Sequence, residues 1–354
     1  MSAQSRTYND FFKFLGSKPH KLSIKPEDWF KIKEELSKDL TGSKQKKMKK
    51  ITDYGKVFDV LVEETAKYVQ NNNLKAMILG ISGGIDSTVC AAICHEVSVK
   101  TGIPLIGRSL PTKYNKEGET STADLVGEAF CDDFEVYSIS DIYEDVENSF
   151  SRYESKSPTP ISSGNIQARL RMIYLYNVAS LHNGLVIDTD NLTEHNLGYW
   201  TIHGDVGDFN PIGSLWKIEI FKLAEWLVEF YDFRSGLHSN PYFIALDKAK
   251  ANAVKESLKL KPTAGLGITN SDLEEIGAKS YDQVDYVLQE ILAWKYTPRR
   301  GISLTKSDLD WFLEEQQILN VPFEVVKAVA ERHFKSEFKR KQLPIKITRH
   351  EIVL

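Results

Sequence analysis

The sequence predicts an α/β fold, in which a doubly wound parallel sheet carries helices on both faces and a short helical extension precedes it. Three observations support this prediction. From about residue 53 onward, short apolar runs alternate with segments of helical period, which is the order expected for a parallel sheet with crossover helices. One apolar run ends in a glycine-rich turn that leads into a helix. Residues 1–50 differ from the remainder in charge.

The first fifty residues form a basic N-terminal extension and linker, because residues 1–50 hold 13 Lys or Arg against 6 Asp or Glu. Residues 25–36 have the pattern of a short amphipathic helix, and the lysine-rich run 44–50 is typical of a solvated linker. A nucleic-acid or membrane role for that run is the alternative, although it lacks interleaved aromatic residues and a long apolar face. We assign residues 51–354 to one main domain.

The main domain is predicted to begin with a helix and a buried strand. Residues 53–72 form the helix, because apolar residues such as Val57 and Leu61 recur at helical spacing. Residues 74–82 are a short apolar run that contains glycine near its end, which is typical of a buried strand. The next helix is expected to open at Ser87 as its N-cap.

Strands and helices continue to alternate after this point. The predicted strands are residues 103–111, 134–140 and 184–189, and the predicted helices are residues 117–130, 141–150 and 165–182. The last of these helices is apolar on most of its circumference, so we expect neighbours on both of its faces. The Ser- and Pro-rich residues 155–164 are predicted to be a mobile loop, and a second helical group begins at Lys217.

Composition excludes several classes of protein. The 354 residues are 42% hydrophobic and 27% charged, which is ordinary globular composition. No apolar run reaches the roughly 18 residues that span a bilayer, and residues 1–14 are too polar for a signal peptide. A net charge of −4 argues against a dedicated nucleic-acid binder. We expect a cytoplasmic protein in which Cys90, Cys94 and Cys131 are buried thiols.

The strongest local signal is the sequence GISGGIDST between the first strand and the following helix. Gly83 and Gly84 allow backbone N–H groups to face a bound anion, and the helix N-terminus at Ser87 adds its dipole. The motif therefore predicts a phosphate-binding loop, although the lysine of a Walker P-loop is missing. An ordinary glycine turn is the alternative, but it does not explain why Ser82, Asp86 and Ser87 occur together.

This loop resembles the signature SGGxDS of the PP-loop ATP pyrophosphatase superfamily, with an adenine nucleotide alpha hydrolase-like fold. Members cleave ATP to AMP and pyrophosphate while they adenylate an oxygen of a second substrate. GMP synthetase, asparagine synthetase, argininosuccinate synthetase and several tRNA-modifying enzymes share the signature. The signature alone does not choose among them.

A second region distinguishes among these enzymes. Residues 187–217, IDTDNLTEHNLGYWTIHGDVGDFNPIGSLWK, are similar throughout to NAD synthetases, and the match includes many fixed spacings. Shorter resemblances to the same family occur at RSLPT, SSGNIQARLRM, KPTAGLG, SYDQVDYVL and SEFKRKQLP. The resemblance extends over residues 53–350, with breaks mainly at 236–260 and 291–335. The main domain thus resembles an NAD synthetase catalytic domain.

The resemblance implies roles for individual residues. The implied ATP-binding positions are Gly80, Ile81, Ser82, Gly83, Gly84, Ile85, Asp86, Ser87, Arg108, Thr189, Lys217 and Thr263. The implied ligands of Mg²⁺ are Asp86 and Glu194, whose carboxylate oxygens suit that hard ion. The implied deamido-NAD positions are Arg169, Asp208, Phe338 and Lys339. The implied catalytic residues are Asp86, Glu194, Lys217 and Asp205.

Two residues depart from the family pattern. Ile202 stands where the family often has a substrate-binding Lys. Phe338 stands where ammonia-dependent members commonly have His, and it can stack on a substrate but cannot donate a hydrogen bond.

The implied reaction is amide formation at the nicotinate carboxylate of deamido-NAD. ATP converts this carboxylate to an acyl-adenylate, and ammonia then displaces AMP. Asp205 and Asp208 are candidates for holding or deprotonating the ammonia. Glutamine-dependent relatives carry a further nitrilase-type domain, which residues 1–50 are too short to encode, so we expect ammonia from solution or from a separate glutaminase partner. The resemblance also implies a homodimer.

Two other classes remain as alternatives. One is another PP-loop enzyme, such as a tRNA-modifying enzyme that grips RNA with the basic extension, or a GMP synthetase-like amidotransferase subunit. The other is a nucleotide-binding module that does not turn over ATP. The region from Thr189 to Lys217 argues against both.

Overall fold

The computed structural model describes residues 50–262, 272–295, 308–315, 320–341 and 345–346. The chain divides into two units, Met1–Met48 and Lys49–Leu354, and all of the described residues belong to the second.

Four parallel strands form the central sheet. They are β1 (Met77–Gly80), β2 (Leu105–Ser109), β3 (Asp133–Val136) and β4 (Leu185–Val186). Their order across the sheet is β3-β2-β1-β4, and all neighbours are parallel. The chain thus leaves β1 for β2 on one side and later returns to β4 on the other. Ligands of such sheets bind at the carboxyl edge where the strand order reverses, which here is the end of β1.

Twelve helices lie within the described ranges. Five of them lie before β1 or between β1 and β4 in the sequence, namely α1 (Tyr54–Asn71), α2 (Ile85–Thr101), α3 (Glu117–Phe130), α4 (Ser140–Glu154) and α5 (Pro160–His182). The others are α6 (Leu192–Leu197), α7 (Lys217–Leu237), α8 (Pro241–Lys259), α9 (Asp272–Ile276), α10 (Tyr281–Lys295), α11 (Asp308–Glu315) and α12 (Phe323–Lys335). A two-stranded parallel pair joins β5 (Phe209–Asn210) to β6 (Ile345–Lys346).

The sheet separates two hydrophobic cores. Successive side chains of a strand point to opposite faces, so Met77 and Leu79 enter one core while Ile78 enters the other. The first core contains residues of α1, α2, α3, α7 and α8, and the second contains residues of α4 and α5. The predicted parallel sheet with helices on both faces is therefore confirmed.

Several predicted boundaries were wrong. Helix α2 begins at Ile85 with Gly84 as its N-cap, so Ser87 lies inside the first turn instead of capping it. The helix starts earlier because Gly84 leaves the glycine turn in an extended conformation. Helix α5 begins at Pro160, within the predicted mobile loop, because Pro suits the first helical position and the Thr159 side chain caps the N-terminus.

Other segments differ in length. The strand predicted at residues 184–189 contains only Leu185 and Val186 as β4, although Ile187 forms a single bridge with Phe209. Helix α4 continues to Glu154, beyond the predicted end at residue 150. Both differences lie at element ends, where apolar periodicity carries little information.

Helix α5 does not have neighbours on both faces within the described chain. One side packs on the sheet through residues such as Leu175 and Val178. On its other side Ile173 and Leu181 are exposed, and Tyr153 of the adjacent α4 is also exposed. Within the described residues of one chain, this outer side of α5 is therefore not covered.

The helices after α8 form a separate aromatic-rich layer. Trp294, Phe312 and Phe334 pack against one another from α10, α11 and α12. Helix α10 contacts both α6 and α7, so this layer supports the elements that follow β4. Within the described ranges, every helix is too short or too polar to cross a bilayer.

Candidate active site

The glycine-rich loop lies at the carboxyl end of β1, where the strand order reverses. Gly83 has a φ of +80°, and a Cβ placed there would lie 2.4 Å from the carbonyl oxygen of Glu119 and 2.9 Å from the amide nitrogen of Ala123. Both the conformation and the close approach of α3 therefore require glycine. This packing leaves the loop at the N-terminus of α2, where backbone N–H groups favour an anion.

Serine side chains hold the loop in shape. The Ser82 hydroxyl accepts a hydrogen bond from the Gly84 amide at 3.2 Å and lies 3.0 Å from the Ser87 hydroxyl. Ser87 donates to the Gly84 carbonyl at 3.0 Å. Ser87 is buried whereas Ser82 is exposed, so the two serines have different roles in the loop. Ser87 braces the turn, and Ser82 lies at the exposed surface of the loop.

A serine from a distant helix also holds the loop. Ser257 of α8 donates to the Gly83 carbonyl at 2.8 Å, and its hydroxyl lies 2.9 Å from that of Thr88. Ser257 is fully buried. Sequence analysis did not identify it, because one serine on a helix far along the chain has no local signature and lies in a stretch where the family resemblance breaks.

Three charged side chains meet beside the loop. The Lys217 ammonium lies 2.5 Å from an Asp86 oxygen and 2.9 Å from a Glu194 oxygen. The Lys217 side chain is 2% exposed, against 17% and 18% for the two carboxylates. Burial opposes the charge of Lys217, but the two carboxylates outweigh it and raise its pKa well above the usual value. Lys217 is therefore held as a cation between two anions.

Each member of this group comes from the start of a different helix. Asp86, Glu194 and Lys217 occupy the first turns of α2, α6 and α7. The positive ends of helix dipoles stabilise negative charge nearby. Asn191 joins two of these elements, because it caps α6 and also donates to Asp86 at 2.8 Å. The starts of three helices therefore hold two carboxylates and one ammonium at one place.

The two carboxylates fit a magnesium ion that is shared with phosphates. Mg²⁺ is usually bound through one or two carboxylates, waters and substrate phosphates, without a complete cage of protein ligands. Asp86 and Glu194 lie close together, since both contact the Lys217 ammonium, and both carboxylates remain partly exposed. No group of three or more His, Cys, Asp or Glu side chains suited to a metal occurs in the part of the chain that the structure describes.

An acidic group lies after β4, on both sides of the partly buried Thr189 in the sequence. Asp188 is buried and accepts hydrogen bonds from the amides of Asp190 and Gly207, at 2.7 and 3.0 Å, and from the Asn210 side chain at 2.9 Å. Asp190 differs, because among the described residues its buried Oδ2 atom has no hydrogen-bond partner. Burial raises its pKa well above the usual value, and nearby carboxylates add to the effect.

Asp205 belongs to the same acidic group. It accepts a hydrogen bond from the Thr201 amide at 2.6 Å. Burial raises the pKa of Asp205 to about 6, although the charges of Lys339 and Arg171 oppose that rise. Asp190 was not among the predicted site residues, but its position immediately after Thr189 is a signal that could have identified it.

The predicted substrate residues surround a neighbouring segment. Arg169 is exposed and donates to the Ile202 carbonyl at 3.2 Å. Lys339 donates to the Trp200 carbonyl at 2.6 Å, so the two cations reach the same segment from α5 and from the chain after α12. The exposed Phe338 and the partly buried Lys339 line a cavity of about 410 Å³ together with Arg332 and Lys335 from α12.

Two predicted residues have structural partners instead of an open position. Arg108 is buried and pairs with Asp133 of β3 at 2.8 Å. Asp208 is exposed, but it accepts hydrogen bonds from the Tyr176 hydroxyl at 2.9 Å and from the Val186 amide at 3.0 Å. The structure therefore does not join Arg108 to the charged group at Lys217. Thr263 lies outside the described residues.

Arg171 is a further cation that sequence analysis did not assign. It donates to the Leu110 carbonyl at 3.0 Å and to the Asn115 side chain at 3.3 Å. Burial lowers its pKa to about 10, and Asp205 opposes that change. Its place two residues after Arg169 is the signal that could have identified it.

Comparisons with known proteins show the family of this chain. The family model described as NAD synthase matches residues 57–343. The NH(3)-dependent NAD(+) synthetase of Campylobacter jejuni is 32% identical over 241 residues, which cover 68% of this chain and 84% of the relative. The enzyme of the same name from Methanocaldococcus jannaschii is 28% identical over 81% of this chain and 96% of the relative.

A solved structure is also similar. It is that of NMN synthetase from Francisella tularensis, with a TM-score of 0.60 and 25% sequence identity. The match covers 83% of this chain and 99% of the other.

Proposed function

This chain belongs to the NAD synthase family, and from that membership we infer that it is a ligase that forms a carbon–nitrogen bond in the ammonia-dependent synthesis of NAD. The family match over residues 57–343 carries this conclusion. The charged group of Asp86, Glu194 and Lys217 beside a phosphate-binding loop supports it, because the reaction requires a triphosphate to be bound and cleaved.

The proposed reaction has two steps. The nicotinate carboxylate of deamido-NAD attacks the α-phosphorus of ATP, which forms an acyl-adenylate and releases pyrophosphate. Ammonia then attacks the acyl carbon, and AMP leaves as the amide forms. Activation is needed because a free carboxylate would have to expel oxide. The protein supplies no nucleophile, so its work is to align the reactants and exclude water.

The loop and Lys217 have the charges that the first step needs. Backbone N–H groups of residues 82–87 at the start of α2 would bind the phosphates, and Lys217 would offset the charge that develops on pyrophosphate. Asp86 and Glu194 would hold Mg²⁺. When bound there, Mg²⁺ supplies positive charge to the phosphate oxygens.

The acidic group offers a site for the nitrogen donor. Asp205 and Asp190 are partly buried. The Oδ2 atom of Asp190, which has no hydrogen-bond partner among the described residues, can accept a hydrogen bond from ammonium or ammonia. A base with a pKa near the working pH is suited to proton transfer, and the pKa of Asp205 is about 6. We assign proton removal from ammonium to Asp205, while Asp208 is engaged by Tyr176.

Arg169 and Lys339 are proposed to bind the negative charges of deamido-NAD, with Phe338 stacking on a ring. Their support is that both cations reach the segment between Trp200 and Ile202. Asp208 is proposed to contribute from the same side, with Tyr176 fixing its orientation.

A second substrate is favoured by one observation. The similar solved structure of Francisella tularensis is named an NMN synthetase, which points to a mononucleotide product. The two positions at which this chain departs from the family pattern, Ile202 and Phe338, both lie in the proposed substrate region. Amidation of the deamidated mononucleotide is therefore the second candidate activity.

The assembly is proposed to be a homodimer. Ile142 and Tyr153 on α4 and Ile173 and Leu181 on α5 are exposed, and a second copy would cover these apolar side chains. Ile173→Glu should yield a monomer in light scattering, whereas Val99→Glu, at an exposed position on α2, should not. A monomeric wild type with full activity would contradict the proposal.

We keep residues 1–50 as an extension outside the catalytic domain and place the protein in the cytoplasm. The three free cysteines support a reducing compartment.

The decisive experiment measures AMP, pyrophosphate and NAD formed from ATP, deamido-NAD and ammonium chloride with Mg²⁺. Equal amounts of AMP and NAD are expected, and the deamidated mononucleotide in a parallel reaction decides the second candidate. Asp86→Asn and Glu194→Gln should each abolish turnover without unfolding the protein. ATP turnover that requires RNA and yields no amide would contradict the proposed function.

A further inference from the structure

A buried aspartate on α10 joins the two helices that carry Glu194 and Lys217. One carboxylate oxygen of Asp285 accepts a hydrogen bond from the Thr193 hydroxyl at 2.5 Å, and the other accepts one from the Ile218 amide at 3.1 Å. The Thr193 hydroxyl in turn accepts a hydrogen bond from the Lys217 amide at 2.8 Å. We call these contacts the Asp285–Thr193 link.

The link acts on the backbone of residues that the proposed function uses. Thr193 directly precedes Glu194 in the sequence, and the Lys217 amide donates a hydrogen bond to the Thr193 hydroxyl. Asp285 is 1% exposed and Thr193 is fully buried, so neither side chain can contact a substrate. The link therefore sets the distance between the backbones of Glu194 and Lys217 without entering the site.

The start of α7 depends on this link for its capping. Trp216, the N-cap residue, makes no side-chain hydrogen bond to the amides of the first turn. Those amides are normally satisfied by a side chain of the residue just before the helix. Here Thr193 and Asp285 satisfy two of them, from positions 24 and 67 residues away in the sequence.

We propose that Asp285, acting through Thr193, is a positioning residue that holds Glu194 and Lys217 at the separation needed to bind and cleave ATP. The proposal rests on the proposed function for what the site does, and on the contacts above for how it is held. Charged groups in a site must keep their places to within about half an ångström, because their effect on a transition state depends on geometry.

The test compares Thr193→Val with Thr193→Ser. Valine has nearly the shape of threonine but removes the hydroxyl, which leaves the Lys217 amide and one Asp285 oxygen without this partner. Serine retains the hydroxyl. We expect Thr193→Val to lower kcat by at least about tenfold. The same variant should reduce the rise in Tm that ATP with Mg²⁺ causes. Thr193→Ser should keep both values within about twofold of wild type.

Val287→Ala is the matched control, because Val287 is fully buried on the same helix but makes no contact in the link. It should lower Tm without changing kcat or the ligand-induced shift. Asp285→Asn is the second variant, in case Thr193→Val does not fold, and it should reduce both readouts.

Two results would overturn the proposal. One is a Thr193→Val or Asp285→Asn protein with the kcat and ligand-induced shift of wild type. The other is a Val287→Ala protein that loses them equally, since the effect would then be general destabilisation. A wild type that is stabilised by ATP and Mg²⁺ but forms no NAD would contradict the proposed function only, because the thermal shift still reports on the link.

Discussion

The ammonium of Lys217 lies 2.5 Å from a carboxylate oxygen of Asp86, although 131 residues separate the two in the sequence. Lys217 is fully buried, while Asp86 retains partial contact with solvent. The pair thus leaves the negative partner accessible from the side where a ligand would approach. A metal–nucleotide complex can bind beside this ion pair.

Replacing Lys217 with Met should destabilise the protein strongly. The substitution leaves Asp86 and Glu194 close together without their shared cation, and breaking such a pair costs about 3 kcal/mol when it is largely buried. Adding Asp86→Asn to this variant should recover part of the lost stability, because it removes one of the two negative charges that repel each other. The measurement is a double-mutant cycle by urea unfolding. Strictly additive effects would contradict the coupling.

Lys67→Met serves as the control for that cycle. Lys67 pairs with Glu64 on the surface of α1. Exposed pairs of this kind contribute at most about 1 kcal/mol, so the control should change stability little.

Ser257→Ala should weaken ATP binding more than it weakens the fold. Loss of one hydrogen bond to the Gly83 carbonyl costs about 1 kcal/mol in stability, but it also releases the phosphate-binding loop from α8. We therefore expect KM for ATP to rise. Ser235→Ala is the matched control, because Ser235 is a buried serine whose hydroxyl bonds within its own helix. Equal KM values in the two variants would rule out this role.

The stability of Asp205→Asn relative to wild type should depend on pH. The pKa of Asp205 is about 6 in the folded protein, against about 3.9 in an unfolded chain. The folded state therefore binds this proton more tightly, and the contribution of Asp205 to stability falls as pH rises from about 4 to about 6. The Tm of the variant minus the Tm of wild type should therefore be larger at pH 8 than at pH 4. The rate of NAD formation by the variant should be lower than that of wild type. Parallel curves of Tm against pH would refute the assignment.

Free ammonia should be the only nitrogen source that the purified chain uses. Burial raises the pKa of Cys90 and Cys94 above the usual value and that of Cys131 to about 12, so none of the three is a reactive thiolate. The rate should rise with pH near neutrality, because ammonia and not ammonium is the nucleophile. The assay compares glutamine with ammonium chloride as sole donor.

The control for that assay is a variant with Cys90→Ala, Cys94→Ala and Cys131→Ser combined, which should retain ammonia-dependent synthesis. Synthesis driven by glutamine in the wild type and lost in this variant would point to a glutaminase site.

Local pattern predicted the sheet, whereas Asp86, Glu194 and Lys217 were assigned from the family resemblance, and the structure brings their side chains together. The glycine turn after β1 marks the carboxyl edge of the sheet, and the spacing between Thr189 and Lys217 carries the family resemblance. The start of helix α2 before Ser87 was not predicted, because apolar periodicity does not reveal the extended conformation of Gly84.

Other residues could not be found in this way. Ser257 and Asp285 act through single long-range hydrogen bonds, for which neither periodicity nor spacing gives a signal. The role of Arg108 in ATP binding stays a prediction. Its pairing with Asp133 on the adjacent strand depends on strand register, for which the sequence gives no signal.

The position of Asp285 also has a consequence for the order in which the protein is made. The ribosome completes the nucleotide-binding signature early, but 92 residues separate Thr193 from Asp285. At roughly 5–20 residues per second this interval lasts roughly 5–20 s. Throughout it the first turn of α7 lacks its distant capping partner. A message truncated before α10 therefore yields a chain that carries the nucleotide-binding signature without Asp285.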